Sequence, residues 1–359
     1  MSDTYQAALE TSKKIEADLQ VNPKKYRVLT GDRPTGRLHI GHYFGSLQNR
    51  VRLSKMGVPT SILIADYQVL TDHDAFSEIS QNTKQLVIDY LAAGIVPSDD
   101  VIIYPHSYVP EANQLMIPFL TLVSNAELNR NPTVKEEIKQ KEFNNSIPAG
   151  FFIYPVSQAA DITAFKAEIV PVGDDQLPMI EQAREIVRTF NSLYGEVLVE
   201  PKAVLPPKGS GRLPGTDGKA KMSKSIGNCI YLSDDEDTVR KKVMSMYTDP
   251  NHIRVEDPGQ VEGNTVFTYL DAFCKEKDVL EEMKEHYTRG GLGDVKVKKY
   301  LNEVLQAELE PIRKRRAEYE SDIDEIYNIL KKGSDKAREI ATATLKEVRE
   351  VIGLEYFNR

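Results

Sequence analysis

Short apolar runs alternate with amphipathic stretches over the first half of this chain, and that alternation limits the fold more than any other feature. "YRVLT" (26–30), "SILIAD" (61–66), "VIIY" (101–104) and "AEIVPV" (167–172) read as strands. Between them, a helix is expected from about Ile40, with Tyr43, Phe44, Leu47 and Val51 on one side. "TKQLVIDYLAAGI" (83–95) and "DQLPMIEQAREIVRTFN" (175–191) read as further helices, the first ending near Gly94. Strands alternating with helices indicate βαβ units, hence an α/β fold with a doubly wound parallel sheet covered on both faces.

The pattern changes near residue 231. "SDDEDTVRKKVMSMY" opens on Ser233 with Glu236 three positions later, the spacing of a capping box. From there nearly everything reads as helix, with Val297, Leu301, Val304, Leu305 and Ile312 at helical spacing. We therefore expect a polar helical extension at 1–26, an α/β domain at 27–231, a helical domain at 232–345 and a tail at 346–359. The segment 201–228, rich in Gly, Pro, Lys and Ser, is expected to be a mobile surface loop. The 359 residues suit two or three domains. No apolar run is long enough to span a membrane, and residues 1–20 lack the apolar stretch of a secretory signal. Two cysteines far apart point to a cytoplasmic setting, and a net charge of −8 argues against non-specific coating of nucleic acid.

Two motifs carry chemistry. "RPTGRLHIGHYFGSL" (33–47) places His39 and His42 at an expected strand-to-helix turn. At i and i+3 on a first helical turn, both imidazoles lie on one face beside unpaired backbone N–H groups. Gly41 lets a large ligand approach the backbone. Imidazole and backbone N–H donors there suit a polyphosphate. A single histidine is more often packed or exposed, and a zinc site would need further ligands that no nearby Cys or carboxylate motif supplies. No P-loop sequence occurs. The second motif, "KMSKS" (221–225), sits in the Gly/Pro/Lys segment. Lys221 and Lys224 bring ammonium groups, Ser223 and Ser225 hydroxyls, and such a flexible segment can close on a departing pyrophosphate. A lysine-rich loop is ordinarily just solvated. A given pentapeptide, however, is expected by chance in about one chain of this length in ten thousand.

HIGH (39–42) followed by KMSKS (221–225) is the paired signature of class I aminoacyl-tRNA synthetases, and the chain resembles that family from about residue 27 over most of its length. "TGDRPTGRLHIGHYFGSL", "AGFFIYPVSQAADI", "VPVGDDQ" and "KMSKS" come in the order and spacing of the tryptophanyl/tyrosyl subclass. In detail they resemble bacterial tryptophanyl enzymes, whose shortest form lacks the first 26 residues. The resemblance implies a Rossmann-type catalytic domain. It implies two reactions, adenylate formation from an amino acid and ATP with Mg2+, then transfer to the 3′ end of tRNA(Trp). His39, His42, Lys221 and Lys224 are implied as catalytic residues. Arg33, Pro34, Thr35, Gly41, Gly173, Asp174, Asp175, Leu213, Met222, Ser223 and Ser225 are implied to join His42, Lys221 and Lys224 around ATP. Gly173 and Asp175 would meet the ribose; Asp175 also suits a helix N-cap. No protein-bound structural metal is implied.

Tyr154, Gln158 and Asp161 form the pattern Y-x-x-x-Q-x-x-D, which resembles tyrosyl enzymes. Leu29 holds the place of a first-strand tyrosine in those enzymes, and Arg33-Pro34-Thr35 replaces their Asp-Pro-Thr; both resemble tryptophanyl enzymes. The resemblance thus gives L-tryptophan as substrate, with Leu29, Tyr154, Gln158, Asp161 and Gln176 around it, and Asp161 accepting the indole N–H. A tyrosyl enzyme of the same subclass and an HxGH nucleotidyltransferase without tRNA are the alternative readings. The family also implies a homodimer, with 107–150, including "LMIPFLTLV" (115–123), as its expected interface, and anticodon recognition by the helical domain. "RKK" (240–242), "KVKK" (296–299) and "RKRR" (313–316) are candidate tRNA contacts.

Overall fold

The computed structural model describes residues 3–70, 78–140, 147–206 and 213–357. Five parallel strands form one sheet in the order β3-β2-β1-β4-β5. They are β1 (Val28–Asp32), β2 (Thr60–Ile64), β3 (Val101–Pro105), β4 (Ile169–Pro171) and β5 (Lys202–Val204). β1 pairs with β2 from Val28↔Thr60 to Asp32↔Ile64, and β2 with β3 from Thr60↔Val101 to Ile64↔Pro105. The order reverses between β1 and β4, which meet at Val28↔Ile169. Ligands of doubly wound sheets bind at such a reversal, beyond the carboxyl ends of the strands.

Side chains alternate across the pleat, and both faces are buried. Ile62, Ile64, Val101 and Ile103 join one apolar layer, whereas Leu29, Leu63, Ile102 and Tyr104 join the other. A third cluster at the β5 edge holds Ile15 and Leu19 of α1 (Asp3–Leu19) against Val28 and Val204. Ser12 Oγ there accepts the Leu205 N–H at 2.9 Å.

After β1 the chain enters a continuous helical stretch, α2 (Ile40–His42), a π turn at Tyr43–Leu47 and α3 (Gln48–Lys55). Tyr43, Leu47 and Val51 are buried along it. α4 (Asp66–Val69) and α5 (Ile79–Ala93) follow β2, and α5 ends at Gly94, whose φ of +112° suits glycine. α6 (Pro110–Leu120), α7 (Asn125–Arg130), α8 (Pro132–Gln140) and α9 (Ala149–Ala164) lie between β3 and β4, and α10 (Leu177–Tyr194) precedes β5. The C-terminal part comprises α11 (Glu236–Met244), α12 (Thr265–Phe273), α13 (Lys277–Arg289), α14 (Asp294–Glu320) and α15 (Ile323–Val351).

Several expectations need correction. The helix after Ser233 starts at Glu236, capped by Asp235, whose carboxylate accepts the Thr238 N–H at 2.7 Å. Ser233 instead accepts from Arg37 at 3.1 Å. Segment 201–228 is not all loop, because β5 pairs with β4 from Ile169↔Lys202 to Pro171↔Val204. Residues 207–212 of that segment, and 141–146 of the expected interface, lie outside the described residues. The expected boundary at 345 falls inside α15, which runs to Val351. Ala337, Ala341, Leu345 and Val348 pack with Tyr104 and Ile102 of β3. A Cβ on Gly333 would lie 2.0 Å from the Ile103 carbonyl oxygen, so helix and strand meet backbone to backbone. In the basic run 313–316, two arginines are engaged within the fold. The Arg315 guanidinium donates to the Ala92 carbonyl at 2.6 Å, and Arg316 pairs with buried Asp89.

Candidate active site

β1 delivers the first motif to the reversal point. Arg33 through Gly36 form the turn after the strand, and His39 caps α2. The two histidines cap each other's backbone. His39 Nδ1 accepts the His42 N–H, and His42 Nδ1 accepts the His39 N–H, both at 3.3 Å. Their rings stack with centroids 3.7 Å apart. A neutral imidazole that accepts at Nδ1 carries its proton on Nε2. Each ring therefore keeps an N–H donor for another group. Burial holds both below the usual histidine range, helped at each by Lys224 and Lys221, at His39 by His42 and at His42 by Arg50. His39 lies at about 3, and His42 at about 4 despite the opposing carboxylate of Asp32. At neutral pH they are uncharged donors.

A buried network supports this turn. Asp32 takes both terminal nitrogens of Arg50, one of them at 3.2 Å, and the Tyr90 hydroxyl at 2.6 Å. Burial would raise Asp32, but Arg50 and Tyr90 outweigh it and hold the carboxylate down at about 2.

The second motif lies directly against the first. Ile40 N–H donates to the Ile230 carbonyl at 2.9 Å, and Leu232 N–H to the Leu38 carbonyl at 3.0 Å. A Cβ on Gly41 would be 3.3 Å from Met222 Sδ and 3.0 Å from the His39 ring. Leu213 and Met222 are buried, and the Met222 N–H reaches the Leu213 carbonyl at 3.4 Å. Ser223 and Ser225 hydroxyls are 2.9 Å apart. Lys224 Nζ crosses to the first motif, donating to the carbonyls of Thr35 (3.2 Å) and Gly36 (3.1 Å) and to the Thr35 hydroxyl (3.3 Å). Burial pulls its ammonium below the usual lysine range, opposed by Asp89 and Asp32. Lys221 stays exposed, and Pro34 is buried.

β4 delivers the third piece, "VGDDQ". Asp174 Oδ1 accepts the Asp175 N–H at 3.1 Å, and α10 begins only at Leu177, so Asp175 is not its N-cap. The Asp175 carboxylate folds back over Gly173, where a Cβ would come within 2.7 Å. Gln176 donates to that carboxylate at 3.4 Å and so stands with this loop.

The fourth piece is α9, where Tyr154, Gln158 and Asp161 follow one another at i+4 and i+3 on one side. Tyr154 donates to Glu137 of α8 at 2.8 Å. Gln158 is half-buried, and its side chain makes no hydrogen bond among the described residues. Leu29 and the apolar residues of α9 share one core layer. Asp161 is 3% exposed, and its Oδ1 lies 3.2 Å from His106 Nε2. Burial pushes its carboxyl up to about 6, with Asp66 adding to the rise and His106 opposing it.

His106, Glu137 and Thr133, whose hydroxyl donates to the Asp175 carbonyl at 2.8 Å, escaped the sequence reading. Only His106 offered a signal, a histidine just past the carboxyl end of a strand, where this fold places its ligands. Among the described residues no group of three or more His, Cys, Asp or Glu could hold a metal ion. No helix among them is long and apolar enough to cross a membrane.

The model of the family "tRNA synthetases class I (W and Y)" matches residues 22–310. The chain belongs to the class I tRNA synthetases. It is 69% identical over 334 residues to the tryptophan–tRNA ligase of Clostridium longisporum, spanning 92% of this chain and 98% of that one. Identity to the tryptophan–tRNA ligase of Streptococcus pyogenes is 58% over 336 residues, again with 92% and 98% covered. Among solved structures, it is similar to the tryptophanyl-tRNA synthetase of Campylobacter jejuni complexed with ADP and tryptophan. There the TM-score is 0.80 at 33% identity, covering 91% of this chain and all of that one. The tryptophanyl-tRNA synthetase of Mycoplasma pneumoniae gives a TM-score of 0.77 at 26% identity, covering 92% and 98%. In this synthetase the HIGH and KMSKS segments lie against each other, with Met222 beside Gly41 and Lys224 on the Thr35–Gly36 turn.

Proposed function

We propose that this chain is a tryptophan–tRNA ligase that uses ATP, and that the four pieces above are its working parts. One observation carries the reading: Lys224 Nζ rests on the Thr35–Gly36 turn while Met222 packs on Gly41. The two nucleotide motifs thus bound one site at the reversal of the sheet. A triphosphate entering there replaces the backbone carbonyls that now hold Lys224. Mg2+ travels with the triphosphate as part of the substrate.

In the first step a tryptophan carboxylate oxygen attacks the α-phosphorus. The bond to the bridging oxygen breaks, and pyrophosphate leaves with the electron pair. Negative charge grows on the phosphate oxygens as this happens. The Nε2–H groups of His39 and His42 donate to that charge from fixed rings, and Lys221 and Lys224 meet the departing pyrophosphate. Arg33, Thr35, Ser223 and Ser225 line the same approach, and the carboxylate of Asp175 accepts from the ribose hydroxyls. In the second step a hydroxyl of the terminal tRNA ribose attacks the carbonyl carbon of the adenylate and AMP leaves.

Tryptophan lies along α9, its ring on the Leu29 layer and its ammonium near Gln158, Tyr154 and Glu137. Asp161 accepts the indole N–H. A side chain lacking that N–H strands a buried carboxylate, and such sites reject analogues by about 10⁴–10⁵-fold. The Campylobacter jejuni neighbour, bound to ADP and tryptophan, supports the same pairing of ligands. The helical part reads tRNA(Trp), and a second copy of the chain packs on the region from 107 through α8, where Tyr108 and Ile117 are exposed apolar residues.

Pyrophosphate exchange into ATP, run with each of the twenty amino acids, tests the central reading. We expect exchange with tryptophan alone. Exchange with tyrosine alone selects the tyrosyl reading, and exchange with none removes the amino-acid-activating function.

A further inference from the structure

His106 sits at the end of β3, in a tight turn that runs from His106 to Tyr108. It is 1% exposed. Its Nε2 faces two oxygens, Asn113 Oδ1 at 3.1 Å and Asp161 Oδ1 at 3.2 Å. Two acceptors against one ring nitrogen require the proton there, since a bare lone pair would face two others. Nδ1 is then an acceptor, and Gln68 Nε2 lies 3.2 Å from it. The edge of Tyr67 packs against the ring at 5.2 Å. Next in sequence, Ser107 binds Asp66 through its N–H at 3.0 Å and through its hydroxyl. The turn is thus tied down on both sides, and the imidazole has no room to swing.

We propose that His106 is the positioning residue of amino-acid selection: it occupies one oxygen of Asp161 and leaves the other as the single acceptor for the substrate. A pocket with one open acceptor suits a side chain with one donor and no acceptor, which describes an indole. This rests on the reading that Asp161 takes the indole N–H. The charged and titratable groups facing Asp161 are His106 from the β3–α6 turn, Asp66 at the start of α4 and Tyr104 of β3. Of these three, His106 is the one that favours the ionised carboxylate, the form that can accept from indole, its Nε2 lying 3.2 Å from Asp161 Oδ1.

The test uses His106→Asn and His106→Gln in the full chain. Asparagine places its amide near the Nδ1 position, on the Gln68 side, and does not reach Asp161; glutamine reaches it. The chain contains no tryptophan, so bound substrate is its only indole fluorophore. Pyrophosphate exchange and that fluorescence are read from pH 5 to 8. For His106→Asn we expect KM for tryptophan to rise about tenfold or more, with KM for ATP unchanged. The acid limb of kcat/KM for tryptophan moves to higher pH, and discrimination against the benzothiophene analogue lacking the N–H falls. His106→Gln restores most of each. An unmoved acid limb and unchanged tryptophan KM in folded His106→Asn overturn the proposal. Asp161→Asn is the control. If it leaves tryptophan KM unchanged, the reading of Asp161 itself fails and the proposal falls with it. If it acts as expected while His106→Asn does nothing, only the role of His106 is lost.

Discussion

His39 and His42 present N–H donors from neutral rings, and the cause is their mutual capping. Each Nδ1 is committed to a backbone N–H, so each proton belongs on Nε2. Burial keeps both rings from charging until about pH 3 to 4. In unfolded chain a histidine titrates near pH 6.5. The folded chain therefore binds fewer protons between about pH 4 and 6.5, and stability rises with pH across that window. Nitrogen-15 spectra of the ligand-free protein should give both rings as Nε2–H tautomers that do not titrate from pH 5.5 to 8. A histidine protonating near pH 6.5 at either position contradicts this. Loss of tryptophan activation on acidification should instead follow Asp161, with a midpoint near 6. Sequence alone could place the imidazoles at a helix start. It could not supply Asp161–His106 or Tyr154–Glu137, because those partners meet only after the sheet and its covering helices assemble.

At the level of elements, strands and helices were legible wherever a period could be counted. β1 to β4 and α5 stand within a few residues of their expected positions, since buried parallel strands are short runs of Val, Ile and Leu. β5 escaped because its three residues, in a stretch of four between Pro201 and Pro206, show no period. The start of α11 was misplaced because Ser233 and Asp235 both suit a cap, and only contact with Arg37 decides between them. Two glycines mark approaches that patterning cannot reveal. A Cβ on Gly31 would sit 2.2 Å from the Leu63 carbonyl oxygen, between β1 and β2. Gly333 reads in sequence as a weak point in a helix, yet it lets α15 lie on β3. Backbone atoms cannot yield as a side chain does. Gly31→Ala and Gly333→Ala should each cost about 3 kcal/mol. Denaturant unfolding checks this; an unchanged stability at Gly31, or at Gly333 the gain of up to about 1 kcal/mol that Gly→Ala gives at an ordinary helix position, would deny the contact.

Across the whole molecule, one buried ion pair ties the helical part to the turn that carries His39. Asp89 of α5 is fully buried and pairs with Arg316 of α14, which also reaches Gln85. Its other oxygen accepts the Leu38 N–H at 2.7 Å, one residue before His39. Burial pushes the Asp89 carboxyl up to about 6, with Arg316 opposing. Folded Asp89 thus holds its proton more tightly than the unfolded chain does. Its contribution is fully present below about pH 4 and fades as pH rises through about 6. Removing the guanidinium lets the folded carboxyl titrate higher still, so the fading continues into the neutral range. Arg316→Met should therefore destabilise the protein by about 3–5 kcal/mol at pH 8, as expected when one buried charge loses its partner. At pH 5.5 the loss should be smaller by ~1–2 kcal/mol, because the carboxyl there is largely protonated in the variant. Asp89→Asn together with Arg316→Met keeps an acceptor for Leu38 and removes the charge, and should recover part of the loss at pH 8 with little dependence on pH. Urea unfolding of the three proteins at both pH values reads this directly. An equal loss at pH 5.5 and pH 8 would show that Arg316 holds α14 in place by packing alone, with no charge on Asp89 to answer.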